Sequence, residues 1–449
     1  MKRKIYDRLL EWKRNEAGEV ALLIDGARRV GKSYIAEEFG KNEYRSYLMI
    51  DFAKAPSEIK VLFENYQDRL DILFLKLSEY YGVRLYERET LFIFDEVQMC
   101  PKARESIKHL IADGRYDFLE TGSLVSIDEN VQGIVIPSEE TRVKLHPMDF
   151  EEFLWAKGDD MTMDSIRRHF VEKEPMGKLL HRKTLDLFRE YMIVGGMPQA
   201  VAEFVRSSNL GKVDAIKRRI LKLYREDIMK HAGKYALKTK LLFDGIAVQL
   251  SKHEKKFRLS SLSENARMRE YEDAFLWLKE AMIVNVCYRS TEPNIGLGIN
   301  ADHATLKCYA ADTGLLVSLA FSGQQIVSEQ VHKRLLFDSL DMNKGMFMEN
   351  IVAQMLVASG QDLFFFSATP IEKIERMEID FLLPVSSIGR RHNIRPIEVK
   401  SSKKYDHSSL NKFITKYKNN LASPILLHVK DMMEKDGILY LPVYMAPCL

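Results

Sequence analysis

Between residues 20 and 146, short apolar and β-branched runs alternate with longer stretches whose apolar positions recur at helical spacing. The runs cover residues 20–25, 46–52, 91–95, 117–121 and 142–146. Parallel strands need a crossover helix between them, so this alternation predicts a parallel sheet covered by helices. From about residue 149 the strand signal stops, and 154–240 reads as helices broken at Gly195, Gly196, Met197 and Pro198, a loop by composition. Residues 241–290 follow the order helix, Ser-Ser-Leu-Ser turn at 260–263, helix, short strand at 282–288, which predicts a small winged-helix-like unit. After a Gly-, Pro- and Asn-rich stretch at 291–300 the pattern returns to mixed helix and strand. The expected segments are therefore 1–155, 156–236, 237–292 and 293–449, within an α/β chain.

A chain of 449 residues exceeds what one hydrophobic core usually serves, in agreement with several domains. Its first residues lack the apolar stretch of a signal peptide, and no segment has about 18 apolar residues in a row. The expectation is a cytoplasmic protein without a membrane partner. Cys100, Cys287, Cys308 and Cys448 lie far apart, with no C-x-x-C pair and no histidine at zinc-finger spacing, so reduced thiols are expected.

Gly26, Ala27, Arg28, Arg29, Val30, Gly31, Lys32 and Ser33 fit G-x-x-x-x-G-K-S/T, placed between an apolar run and a helical pattern and followed by Tyr34. Glycines let such a loop fold around a phosphate, with backbone N–H groups and the positive helix end facing the anion. Lys32 brings charge to the β- and γ-phosphates, and the Ser33 hydroxyl is a ligand for Mg²⁺. LFIFDE at 91–96 reads as a buried strand ending in two acids. Asp95 then holds Mg²⁺, and Glu96 orients and deprotonates the attacking water. ATP and Mg²⁺ are the expected ligands. Another strand is expected between the phosphate-loop strand and the acidic one, namely 117–121. At its tip Thr121 and Ser123 offer hydroxyls either to the γ-phosphate and water or only to a polar strand end.

With these motifs go PMDFEEFL (147–154), GGMP (195–198), KCYAADTGLL (307–316), GMFMENIV (345–352), EIDFL (378–382) and PIEVKSS (396–402). Together they resemble a prokaryotic family of AAA-like ATPases with an uncharacterised carboxy-terminal domain. The resemblance implies an additional-strand P-loop NTPase domain, a helical and winged-helix middle, and a carboxy-terminal α/β domain similar to PD-(D/E)xK (restriction-endonuclease-like) nucleases. Arg28 and Arg29 match a basic pair typical of that family's phosphate loop; they either stabilise the γ-phosphate or are exposed loop charges.

Net charge is only +3, but residues 212–258 hold 14 Lys or Arg against 5 Asp or Glu, leaving −6 on the remainder. Such a stretch, including Lys217, Arg218 and Arg219, suits either DNA phosphates or solvated helix faces. In the carboxy-terminal segment Glu349, Asp380, Glu398 and Lys400 are expected to converge. Carboxylates inside apolar runs are costly unless paired or bound to a cation, and strand alternation puts Glu398 and Lys400 on one face. The cluster is either a Mg²⁺ site for phosphodiester cleavage or a buried ion-pair group. Two functions remain open: an ATPase coupled to DNA processing, and a nucleotide switch acting on protein partners or as a homo-oligomer.

Overall fold

The computed structural model describes residues 1–122, 138–252, 255–259, 267–294, 296–322, 344–368, 376–385, 394–402 and 405–449. Ser123 and the 260–263 turn lie outside them. The described chain forms two compact units, one of residues 1–146 with 280–282, the other of 147–279 with 283–449.

The first unit is built on strands β1 (Ala21–Asp25), β2 (Ser46–Asp51), β3 (Thr90–Asp95), β4 (Asp117–Gly122) and β5 (Glu140–Lys144). They pair in the order β2-β3-β4-β1-β5, all parallel. The strand at 117–122 thus separates the phosphate-loop strand from the acidic one, as the motif order requires. Every residue of β1, β3 and β4 is buried, whereas the edge strands β2 and β5 are partly exposed. Continuous apolar runs are what a parallel strand covered on both faces needs. Helices α1 (Ile5–Asn15), α2 (Lys32–Glu43), α3 (Ser57–Asn65), α4 (Leu70–Tyr81), α5 (Pro101–Glu105) and α6 (Ile107–Asp113) accompany the sheet. On one side Phe52, Phe63 and Phe94 meet edge to face at centroid distances of 5.5–5.6 Å.

The second unit begins with helices α7 (Phe150–Ala156), α8 (Thr162–Glu172), α9 (Gly177–Val194), α10 (Pro198–Ser207), α11 (Leu210–His231), α12 (Ala236–Ser251) and α13 (Glu272–Glu280). The break at 195–198 is real and tightly packed. Gly195 has φ +82°, and a Cβ on Gly196 would lie 2.0 Å from the Met148 carbonyl. Asp312 accepts a hydrogen bond from the Gly196 amide and, at 2.8 Å, from Leu315 N, capping α14 (Thr313–Ala320). Two sequence motifs 116 residues apart are therefore one structural joint.

Among the described residues an eight-stranded sheet follows, ordered β12-β13-β11-β10-β9-β8-β6-β7. Its strands are β6 (Val284–Ser290), β7 (Ala301–Ala310), β8 (Phe364–Ala368), β9 (Met377–Pro384), β10 (Ile394–Val399), β11 (Ile425–His428), β12 (Met433–Lys435) and β13 (Ile438–Pro442). Helix α15 (Lys344–Ala358) is buried from Met346 through Leu356, and α16 is Ser408–Tyr417. Asn350 and Gln354 of α15 bond Ala310 and Thr313, satisfying polar groups that burial strips of water. The boundary expected between 292 and 293 falls inside the antiparallel β6–β7 hairpin, and β6 also pairs with β8. The strand read as a wing is an inner strand of the large sheet. Among the described residues no helix is long and apolar enough to cross a membrane. Cys100, Cys287 and Cys308 are buried thiols.

Candidate functional site

The carboxyl ends of β1, β3 and β4 meet at one edge of the first sheet. Asp25 is in register with Gly122 across the β1–β4 pair, and Asp95 with Asp51 across β2–β3. The loop from Gly26 to Gly31 leaves β1 there and runs into α2. Gly31 precedes α2 with φ +99°, a conformation glycine adopts without a Cβ clash, and no side chain among the described residues caps the first turn. The amides at the start of α2 are therefore left to an anion. A Cβ on Gly26 would lie 2.5 Å from the Leu145 carbonyl, so the loop start must be glycine.

Lys32 is buried and donates to the carbonyls of Gly26 at 2.8 Å and Ala27 at 3.2 Å. Burial holds its amine below the usual lysine range, against the pull of Glu96, Asp25 and Asp95. Asp95 is buried and its carboxyl is pushed up by desolvation, while hydrogen bonds from Thr121 and Ser33 oppose the shift. Thr121 joins the two acids: its hydroxyl donates to Asp95 Oδ1 and accepts from the Glu96 amide at 3.3 Å. Glu96 sits in the left-handed region at φ +53°, a strained state for a non-glycine residue, and its carboxylate accepts from Gln98 Nε2. Ser33 and Asp95 thus present adjacent hydroxyl and carboxylate oxygens, the hard donors that Mg²⁺ takes. The residues present fit a nucleotide with its metal ion. Arg28 and Arg29 are exposed, Arg29 at φ +72°, and the Tyr34 side chain is also exposed and accepts from the Met1 amino group at 2.9 Å.

The sequence reading missed Arg3. Its guanidinium donates to Val30 O at 2.9 Å and to His146 O at 2.7 Å, tying the phosphate loop to the segment after β5. Nothing in the local pattern marks it, since an arginine near the amino end reads as solvent-exposed.

In the second unit Glu349, Asp380, Glu398 and Lys400 do come together, but with two lysines the sequence reading did not include. Lys307 Nζ lies 3.2 Å from Glu349, 2.9 Å from Glu378 and 3.4 Å from Asp380; Lys255 takes the other Glu349 oxygen. Tyr309 also donates to Glu349. Asp380 accepts from Val399 N at 2.9 Å, and Lys400 donates to Glu398 at 2.7 Å. Glu398 is 6% exposed, and its Oε2 has no hydrogen-bond partner among the described residues.

The basic stretch 212–258 is not one solvent-facing surface. Lys217, expected to face either DNA or solvent, is fully buried, donates to Ile193 O at 2.7 Å, and burial pushes its amine down to about 8. Arg218 is engaged with Asp214 and Phe321 O, and Arg225 and Lys240 both with Asp244. Arg219, Lys222 and Lys230 stay exposed.

Residues 19–154 match a family model described as an AAA domain, 185–325 one described as a domain of unknown function (DUF8612), and 344–445 a domain of unknown function (DUF4143). The chain thus carries an AAA-like P-loop ATPase domain followed by two uncharacterised domains. It is similar to an uncharacterised protein of Haemophilus influenzae, 22% identical over 161 residues, which are 34% of this chain and 38% of that protein. The match spans well under half of that relative. Solved structures it resembles include Drosophila ORC bound to DNA, at 14% identity and TM-score 0.28 over 71% of this chain and 94% of that one. Another is Cdc6p of Pyrobaculum aerophilum, at 12% identity and TM-score 0.24 over 76% and 96%.

Proposed function

We propose that the first unit binds ATP with Mg²⁺ and hydrolyses it. The observation that carries this reading is the meeting of Lys32, Ser33, Asp95, Glu96 and Thr121 where three parallel strands end beside the start of α2. The loop amides and Lys32 hold the β- and γ-phosphates. Mg²⁺, held by Ser33 and Asp95, supplies charge neutralisation at the phosphate oxygens. Glu96 orients a water toward the γ-phosphorus and accepts its proton as the bond to the β-phosphate oxygen breaks, giving ADP and phosphate. Thr121 fixes the relative position of the two acids. Binding of a fluorescent ATP analogue by the full chain tests the assignment. Lys32→Ala should lose it, and retention of wild-type affinity by that variant refutes the phosphate role of Lys32.

The product of turnover is best read as a nucleotide-dependent change of state that acts on a protein partner, with the nuclease-like carboxy-terminal domain as scaffold. A DNA-directed role draws less support, because Lys217, Arg218, Arg225 and Lys240 spend their charge or their donors inside the unit. ATP turnover measured with and without duplex DNA at low salt decides between them: stimulation by DNA overturns the partner reading.

A further inference from the structure

Three carboxylates of the second unit surround one ammonium group. Lys307 on β7 has a side chain 0% exposed, and it reaches Glu349 on α15 and Glu378 and Asp380 on β9 at 2.9–3.4 Å. The ring of Phe365 lies 5.0 Å away and adds a second favourable contact to the cation. Lys255 neutralises the remaining oxygen of Glu349, and Lys400 pairs with Glu398.

Resemblance to metal-dependent nucleases implies a divalent ion among Glu349, Asp380 and Glu398. The residues present do not fit one. A bound Mg²⁺ or Mn²⁺ needs several oxygens about 2.0–2.6 Å from a common point. Here the point shared by Glu349 and Asp380 is occupied by Lys307 Nζ, 3.2 and 3.4 Å from them and inside the roughly 4 Å of an ion pair. Among the described residues no group of three or more His, Cys, Asp or Glu has an arrangement able to hold a metal. The charge is also accounted for, since Lys255 and Lys307 together carry the two positive charges of one divalent ion.

We propose that Lys307 is the resident cation of this cluster, a tethered ammonium standing where a nuclease of similar fold holds its metal. Carboxylates buried without a counter-charge would be costly, and Lys307 removes that cost while bracing β7, α15 and β9 against one another. An ammonium offers no open coordination position and cannot activate a water as a metal does, so the cluster has no metal-dependent cleavage to perform. Its role is to hold the sheet and α15 together at any metal concentration.

The test is a Mn²⁺ titration of the nucleotide-free full chain, followed by electron paramagnetic resonance, for wild type, Asp380→Asn, Lys307→Ala and the Lys307→Ala, Asp380→Asn double variant. Wild type and Asp380→Asn should give the same isotherm, and MnCl₂ in place of EDTA should move their thermal midpoints equally. Lys307→Ala should gain one saturable site that the double variant loses, with Mn²⁺ restoring part of its thermal midpoint. A wild-type site removed by Asp380→Asn overturns the proposal, as does a folded Lys307→Ala that gains none. Should Lys307→Ala fail to fold, the comparison of wild type with Asp380→Asn still decides, because only a metal site makes their isotherms differ.

Discussion

The hydroxyl of Thr121, at the end of β4, donates to the carboxylate of Asp95, at the end of β3. The same oxygen accepts from the Glu96 amide, so one side chain of the intervening strand sets both acids. Thr121→Val keeps the branched shape and the strand but removes the donor. A hydrogen bond to a charged group is worth roughly 1.5–3 kcal/mol, which corresponds to a fall in kcat of about 10- to 100-fold. Steady-state phosphate release should show this loss with little change in nucleotide affinity. Equal kcat in Thr121→Val and wild type contradicts the bridging role.

Glu96 is held in a strained backbone conformation beside the phosphate loop, with its carboxylate on Gln98. Glu96→Gln leaves the strand end and the Asp95 contact in place and removes the base. The expected loss in kcat is on the order of 10²–10⁴-fold, the usual worth of a positioned general base. ATP should stay bound for longer, readable as unhydrolysed nucleotide recovered with the protein on a spin column. Turnover at the wild-type rate would falsify the assignment of Glu96.

Asp312 carries the joint between the 195–198 loop and α14. Asp312→Ala leaves the Gly196 amide without its acceptor in a buried place and removes a helix cap. Losing the cap costs about 0.5–2 kcal/mol and orphaning the donor about 1–3 kcal/mol, giving roughly 1.5–5 kcal/mol in all. Urea denaturation followed by circular dichroism should show the midpoint fall. Asp312→Asn should recover part of it, since it keeps an acceptor oxygen.

The parallel sheet of the first unit was legible because central strands covered on both faces must be continuously apolar, as in β1 and β3. The phosphate loop was legible because its chemistry is local. What escaped depends on partners distant in sequence. Lys217 and Lys307 are charged residues that read as surface, yet each is buried against groups on other elements: the Ile193 carbonyl for one, Glu349, Glu378 and Asp380 for the other. The strand at 284–290 had the right type but the wrong home, because its pairing with Phe364 and Phe365 lies more than 70 residues on. Arg3 escaped for the same reason, its two acceptors being Val30 and His146. The convergence of Glu398 with Lys400 came from strand alternation alone and is present as a 2.7 Å pair.

Burial, reinforced by the charge of Asp380, pushes the Glu398 carboxyl up to about 8, while Lys400 on the same strand's end and Lys307 on β7 pull the other way. In the unfolded chain the same carboxyl titrates near its ordinary value of about 4.3. Between the two values the native chain keeps a proton that the unfolded chain has released. The unfolded state then binds fewer protons, and stability falls as pH rises through this window. The contribution is complete below the unfolded value and lost above about 8. One such group gives a slope of at most about 1.4 kcal/mol per pH unit. Glu398→Gln keeps the shape and cannot titrate. Urea midpoints of wild type and Glu398→Gln, compared at pH 5.5 and 7.5 (chosen to lie roughly within the window), should show a clear decline for wild type and a flatter line for the variant. Burial also pushes the nearby Lys255 amine down to about 8, against the pull of Asp380, Glu378 and Glu398, so both pH values of the comparison stay below it. Parallel lines would mean that Glu398 is already ionised in the folded chain, with Lys400 as its full counter-charge.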